Sequence, residues 1–299
     1  MSQIFVLFNP HSGHRTGEAK ARALQSKFTS PLTYVDMTTI ADYRAFAGNL
    51  SPEDKLIVCG GDGTLNRFIN EIYDIGIENK ILYYATGSGN DFLRDFGKTA
   101  GTEPMRINEE IKHLPVVTVN GKSYRFINGV GYGLDGYCCE IGDELRRTSE
   151  KPVSYTAIAI KGLLHSYKPT NATITVDGAV HTFKKVWIAP TMVGRYYGGG
   201  LMPTPHQHRR DRTDHVSVGV MHHAGRLHTL LVFPSVSKGG HVKHKKMATE
   251  LQGKHITVEF DRPVALQIDG ETVLDVKRYE VTVDPALLKK KEAASAAST

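Results

Sequence analysis

The run Leu56-Ile57-Val58-Cys59-Gly60-Gly61-Asp62-Gly63-Thr64 passes from apolar residues straight into three glycines that bracket one carboxylate. The apolar half reads as a buried strand, and Leu65, Phe68, Ile69 and Ile72 then recur at helical spacing. A helix predicted to start at Thr64 presents its unpaired backbone N–H groups at the turn. Glycine lets such a turn close tightly and lets a ligand approach the backbone. The combination suits phosphate, with Asp62 suited to metal or hydroxyl work rather than to touching phosphate itself. Taken alone, the same residues also describe a tight strand–helix turn with a capping Asp.

The flanking sequence repeats this alternation. Residues 4–8, 32–35, 56–59 and 81–85 read as strands, and 18–28 and 40–50 as helices. The β-α-β-α-β-α-β order predicts a parallel sheet with helices on both faces, a three-layer α/β nucleotide-binding domain over residues 1–122. Ligands of such sheets sit beyond the carboxyl ends of the strands. Asn9, the 60–64 stretch and the 86–91 stretch all fall there. At the first, Asn9-Pro10-His11-Ser12-Gly13 offers side chains and amides to phosphate, with Arg15 as a neighbouring charge. At the third, Thr86-Gly87-Ser88-Gly89-Asn90-Asp91-Phe92 makes a polar nest for phosphate and metal. The plainer reading of each is an ordinary turn. Neither GxxxxGK[ST] nor a GxGxxG opening the first helix occurs, which disfavours a P-loop ATPase and a dinucleotide dehydrogenase.

After about residue 112 the pattern changes. Residues 114–119 and 124–127, around Asn120-Gly121, read as a hairpin. Further strands are expected at 172–176, 183–188, 216–221, 255–260, 265–268 and 279–283, with tight turns at Asp177-Gly178 and Asp269-Gly270. Only 154–164 reads as a long helix; 227–232 and 243–250 are shorter or ambiguous. A mainly antiparallel β-sandwich domain is expected over 123–288, followed by an Ala-, Lys- and Ser-rich tail at 289–299.

Composition narrows the classes. The 299 residues are 40% apolar, with no unbroken apolar run of about 18 residues, so a transmembrane span is not expected. The start, MSQIFVLFNPHSG, reads as a first strand rather than a signal peptide. Cys59, Cys138 and Cys139 are poorly spaced for zinc or a disulfide, which fits a reducing cytoplasm. The net charge of +6 favours anionic partners. No nucleic-acid recognition signature stands out, so nucleic acid is not expected as a partner. Fourteen histidines, paired at 206/208, 222/223 and 241/244, show no HExxH and read as surface residues rather than a zinc site. Two basic clusters, Arg209/Arg210/Arg212 and Lys243/Lys245/Lys246, read either as solvated surface or as transient contacts with anionic lipid headgroups.

Together the motifs NPHSG at 9–13, GGDGTLN at 60–66 and TGSGNDFLRDFG at 86–97 resemble the diacylglycerol kinase catalytic family of bacterial lipid kinases, related to sphingosine kinases and more distantly to NAD kinases. The 131–136 stretch GYGLDG, the 198–200 glycines and Asp269-Gly270-Glu271 match later landmarks of the same family, so the resemblance runs over roughly 3–285. It implies the NAD kinase/diacylglycerol kinase-like fold, ATP with Mg²⁺ as cofactors, and transfer of the γ-phosphoryl group to a lipid hydroxyl, diacylglycerol first. By motif match, Asn9, Thr39, Gly61, Asp62, Gly63, Thr64 and Thr86 fall on nucleotide positions, Thr39 through its spacing to Ala45. Glu271 falls on the position of the proton acceptor, with Asp62 and Asp269 as the accompanying catalytic carboxylates. A cytoplasmic enzyme transiently peripheral to the membrane, and a possible homodimer, are further implications.

Two positions depart from the family pattern. Arg67 stands where many relatives carry Glu, and Ser217 stands near an acidic position of a structural Mg²⁺ segment, so no protein metal site is carried over. The alternatives are a sphingoid or other amphiphilic acceptor, an NAD kinase, and a nucleotide-binding regulatory protein without transfer activity. The extended 9–13 and 86–92 loops favour the lipid group over NAD.

Overall fold

The computed structural model describes residues 2–87, 89–149, 153–209 and 214–284. The chain divides into two compact units, Met1–Lys112 and His113–Thr299. The first ends at Lys112 rather than at 122, because residues 116–119 pair with a strand of the second unit's sheet. The tail read from 289 lies outside the described residues.

In the first unit, β1 (Ile4–Phe8), β2 (Thr33–Asp36), β3 (Lys55–Gly60), β4 (Lys80–Ala85) and β5 (Met105–Arg106) form one sheet in the order β2-β1-β3-β4-β5. The first four run parallel, as the alternation predicts; β5 adds an antiparallel edge. Its connections carry α1 (Ser12–Arg15), α2 (Gly17–Ala23), α3 (Tyr43–Gly48), α4 (Asp62–Ile72) and α5 (Asp91–Asp95). Strand periodicity sorts the layers. Val6, Phe8, Ile57 and Cys59 pack with Ala21 and Leu24 on one face. Phe5, of opposite parity, meets Phe46 of α3, and Tyr43 meets Phe68 of α4. Covered on both faces, Leu56 to Cys59 are wholly buried, which is why β3 reads as an unbroken apolar run.

The second unit is antiparallel: β6 (Val116–Val119), β7 (Lys122–Arg125), β8 (Gly129–Tyr132), β9 (Thr170–Val176), β10 (Ala179–Val186), β11 (Thr191–Met192), β12 (Val216–Met221), β13 (Ala248–Gly253), β14 (His255–Ile268) and β15 (Glu271–Thr282). The segments read separately at 255–260 and 265–268 are one strand, irregular between Glu259 and Val264. Its first half pairs with β9 and its second with β8, so one strand serves both halves of the sandwich. Tyr132 stacks on Phe260 at 3.9 Å inside a core that also holds Val218, Val258, Leu266 and Tyr279. The ambiguous 243–250 segment resolves into a short turn ending at Lys243 and the start of β13, because β13 completes the ladder beside β12.

The longest helix, α6 (Leu134–Thr148), was not expected from the sequence. Leu134, Cys138, Ile141 and Leu145 have helical spacing, but the glycines before and within it read as loop. Those glycines are contact points. A Cβ on Gly136 would sit 1.9 Å from the Ala265 carbonyl oxygen of β14, so only glycine lets the helix lie this close to the strand. Then follow α7 (Tyr155–Lys161), extended by a helical turn over Gly162–Ser166, and α8 (Arg226–Val232). All three helices share a smaller core around Trp187, Ile188 and Met221. None of the described helices is long and apolar enough to cross a membrane.

Gly136→Ala is expected to destabilise the protein by at least about 2 kcal/mol, since the clash is with backbone and cannot be relieved by a rotamer change. Thermal melting would read this as a clear fall in midpoint; an unchanged midpoint would mean that α6 is free to move off β14.

Candidate active site

Three loops at the carboxyl edge of the first sheet are drawn into one structure. Thr86 N donates to Gly60 O at 2.8 Å, joining the ends of β3 and β4. Gly61 and Gly87 meet backbone to backbone: a Cβ on Gly87 would lie 2.5 Å from Gly61 Cα. Gly60 is equally constrained, since a Cβ there would lie 2.5 Å from that of Thr64. Asp62 then reaches across. Its Oδ2 accepts from Asp91 N at 2.9 Å and its Oδ1 from Phe92 N at 3.1 Å, capping the short helix α5.

Asp62, expected to suit metal or hydroxyl work, has both of its oxygens on backbone amides that hold the third loop against the second. The helix it belongs to begins at Asp62, not Thr64, because Gly61 is the extended cap residue. The first intrahelical bond of the cap is Leu65 N to Gly61 O. The amides of Asp62, Gly63 and Thr64 therefore lie in the first turn, where a helix has donors to spare. Gly63 differs from its neighbours, since a Cβ there would meet nothing within 4 Å. Packing does not explain that glycine, and the space beside its Cα in the first turn of the helix is open.

The first loop is tied in by a residue that the sequence reading missed. Lys20 Nζ, from α2, donates to Thr86 O at 2.7 Å and lies 3.2 Å from where a Cβ of Gly13 would be. The ammonium thus stands between the loops after β1 and β4. The sequence pointed to Arg15, but Arg15 is exposed with φ of +64° and Lys20 supplies the cation. Its only sequence signal is a lysine on the first helix after a glycine loop. Asn9 Oδ1 accepts from His11 N and Asn9 O accepts from Ser12, so Asn9 shapes its own loop. Thr39 lies at the same sheet edge after β2, exposed, with its hydroxyl on Asp36 O; among the described residues no hydrogen bond connects it to the other loops. Arg67 points outward from α4 and is exposed.

These residues fit a nucleotide triphosphate: a helix terminus with open space, glycine backbones, and one lysine. Among the described residues no group of three or more His, Cys, Asp or Glu forms a metal cage. No ligand set for Mg²⁺ is therefore assigned.

In the second unit, Asp269 and Gly270 have φ of +46° and +97°, the two left-handed positions of a tight hairpin turn. Asp269 Oδ1 accepts from Asn128 N at 2.9 Å and Gly129 N at 3.0 Å, and Oδ2 from Ile127 N at 2.5 Å. Of the two roles open to it, metal work or backbone geometry, the bonds describe the second: it locks the turn to β8. Glu271, two residues on, is exposed, and its carboxylate makes no hydrogen bond or ion pair among the described residues. Thr272 Oγ1 beside it donates to Asp143 Oδ2 at 2.6 Å, tying the start of β15 to α6. The 131–136 stretch leaves Asp135 half-buried, with its carboxylate turned inward. Burial pushes its acid up to about 7, while the neighbouring Tyr197 hydroxyl pulls the other way. Its Oδ2 is buried without a hydrogen-bond partner. Ser217 is buried and donates to Gln207 Oε1 at 2.6 Å; the Gln207 amide in turn donates to Val193 O and His215 O. A neutral bonded pair occupies this segment.

The chain matches the diacylglycerol kinase catalytic domain over residues 3–119 and the YegS C-terminal NAD kinase beta sandwich-like domain over 128–290. It belongs to this diacylglycerol kinase-like family of bacterial lipid kinases. YtlR of Bacillus subtilis (strain 168), named as a candidate lipid kinase, is 23% identical over 97% of this chain and 100% of its own length. A diacylglycerol kinase of Mycobacterium tuberculosis (strain ATCC 25618 / H37Rv) is 23% identical over 97% of this chain and 94% of its own. The crystal structure of a diacylglycerol kinase from Bacillus anthracis str. Sterne superposes with a TM-score of 0.61 at 19% identity, covering 95% of this chain and 94% of that one, which shows the shared fold.

Two variants separate positioning from chemistry. In Asp62→Asn one of the two amides loses its acceptor and faces an NH₂ group, a cost of about 1–3 kcal/mol. Both the melting temperature and the phosphoryl-transfer rate are expected to fall. Lost transfer with an unchanged melt would return Asp62 to direct work on the nucleotide. Asp135 is protonated in the folded protein where the unfolded chain ionises, because its folded value is raised. Its burial therefore costs nothing below about pH 4, costs progressively more as pH rises through about 7, and is constant above. Asp135→Asn is expected to narrow the difference in melting temperature between about pH 5 and about pH 8.

Proposed function

We propose that this protein transfers the γ-phosphoryl group of ATP to the hydroxyl of a lipid, with diacylglycerol as acceptor and phosphatidic acid as product. The observation that carries the reading is the three-loop cradle, in which Asp62, Lys20 and the Gly60–Thr86 bond hold the loops together at the first turn of α4 while Gly63 is left with open space beside its Cα. Bound Mg²⁺–ATP supplies the phosphoryl group and shields its charge. The first-turn amides of α4 and the Lys20 ammonium bind phosphate oxygens. Asp62 fixes the 86–92 loop and keeps one negative charge at the edge of the cradle. Thr86 holds Lys20 through its carbonyl, and Asn9, Thr64 and Gly61 set the loop shapes. Thr39 stands nearby at the same sheet edge.

In the second unit we assign Glu271 as the general base. Asp269 spends both oxygens on the turn, whereas the Glu271 carboxylate is exposed and uncommitted among the described residues. It accepts the hydroxyl proton as the acceptor oxygen bonds to the γ-phosphorus and the bond from that phosphorus to the β–γ bridging oxygen breaks, with ADP as the leaving group. The lipid acceptor also brings the enzyme to a membrane surface, where its positive net charge favours anionic headgroups.

Labelled ATP offered with a panel of diacylglycerols, sphingoid bases and NAD tests the reading. Label is expected in phosphatidic acid; label only in NADP, or ATP left intact across the panel, would overturn it. Under the same assay Glu271→Gln is expected to lose about 10²–10⁴-fold in turnover with ATP affinity kept. Gly63→Ala is expected to weaken ATP binding with no loss in melting temperature, because its methyl enters only the open space. Turnover of Glu271→Gln within a few-fold of wild type would remove the base assignment.

A further inference from the structure

The second unit exposes four large aliphatic side chains on two helices. Leu227 and Leu231 of α8 are 71% and 72% exposed, and Ile160 and Leu164 of α7 and its extension are 44% and 50% exposed. Each pair is four residues apart, so each forms one stripe on a helix face. The opposite faces are buried: Ile158 and Leu163 on one helix and Val232 on the other pack into the shared core around Trp187. These leucines therefore contribute nothing to the core that a polar residue would spoil. The helices are joined by Arg226, whose guanidinium donates to Gly162 O, Leu163 O and Tyr167 O.

The two segments themselves carry charge of one sign, and the acids beside the α7 extension, Glu140 and Asp275, line a pocket with Ser166, Tyr167 and Lys168. The His228 ring, set between the two exposed leucines in sequence, meets the His244 ring at 6.4 Å. That contact brings exposed Lys243, Lys245 and Lys246 beside α8, while exposed Lys161 and Lys168 flank the other stripe. No Asp or Glu occurs in residues 154–168 or 222–249. Of the other basic cluster expected at the surface, Arg209 is buried with its guanidinium on Asn128 Oδ1, and Arg210 and Arg212 lie outside the described residues.

We infer that α8 with the α7 extension is the surface by which this protein docks on an anionic bilayer, the leucines entering the acyl boundary and the lysines meeting headgroups. Protruding aliphatic residues beside lysines, in segments that themselves hold no acid, are the chemistry of an interfacial helix. A second copy fits less well, because a two-fold contact through α8 would set the same lysines against each other, and residues 222–249 hold no carboxylate to offset them. This inference rests on the lipid-acceptor reading, and it adds the surface through which a bilayer-borne acceptor is reached.

Flotation with vesicles of phosphatidylcholine, alone or mixed with phosphatidylglycerol, tests it. Leu227→Ser/Leu231→Ser is expected to partition about tenfold more weakly onto the mixed vesicles, with an unchanged melt. Lys243→Ala/Lys245→Ala/Lys246→Ala is expected to lose the preference for the anionic vesicles and its salt sensitivity. Val180→Ser, at an exposed apolar site on β10, serves as control and is expected to float like wild type. Wild-type flotation of the leucine variant overturns the proposal, as does a change from dimer to monomer in sedimentation with flotation intact. Transfer to a short-chain diacylglycerol dispersed in water separates the two readings. Its rate is expected to be unchanged in the leucine variant. If wild type phosphorylates no lipid but still floats through Leu227 and Leu231, the acceptor reading fails and the docking surface stands.

Discussion

The first unit depends on one carboxylate bridging two loops. Asp62 accepts from the amides of Asp91 and Phe92, while Gly61 and Gly87 press together just beneath it. Ionised acceptors make the stronger hydrogen bonds, about 1.5–3 kcal/mol each, so this contact is large beside an ordinary loop bond. It also sets chemistry. The glycines allow the approach, the approach brings Thr86 O to the Lys20 ammonium, and the cation completes the cradle over α4. A bulkier residue at 61 or 87 would part the loops and take Lys20 away from them.

The fold was legible where burial alone decides pattern. The unbroken apolar run 56–59 announces a strand covered on both faces, and strand–helix alternation announces the parallel order. It was not legible where glycine serves close approach. Gly136 and Gly142 look like helix breakers, yet both lie in α6 where a Cβ would strike Ala265 or Tyr155. Local propensity is a weak prior against such a contact. The short 243–250 stretch fails for the related reason that strand pairing with β12, rather than residue preference, decides its state.

The site was legible as a set of positions and less so as a set of roles. Glycine-rich turns after strands locate the edge where ligands sit, and all three loops are there. Sequence does not show how many hydrogen bonds a carboxylate already accepts. Asp62 accepts two and Asp269 three, so both carboxylates hold backbone in place. Lys20 was invisible for the converse reason, since an ordinary helix lysine becomes distinctive only when the fold places it against Thr86.

That contrast gives a rule for dividing the motif residues. Groups already satisfied by the fold define shape: Asp62, Asp269, Gly60, Gly61 and Gly87 each have a close partner that fixes them. Groups the fold leaves open are those on which chemistry can act. Gly63 has space where a side chain would be, and Glu271 has solvent where a partner would be. Substitutions in the first set should lower stability and activity together, because the same contacts carry both. Substitutions in the second should lower activity alone. The difference is physical rather than statistical, since only the second set has no contact whose loss the folded state would register.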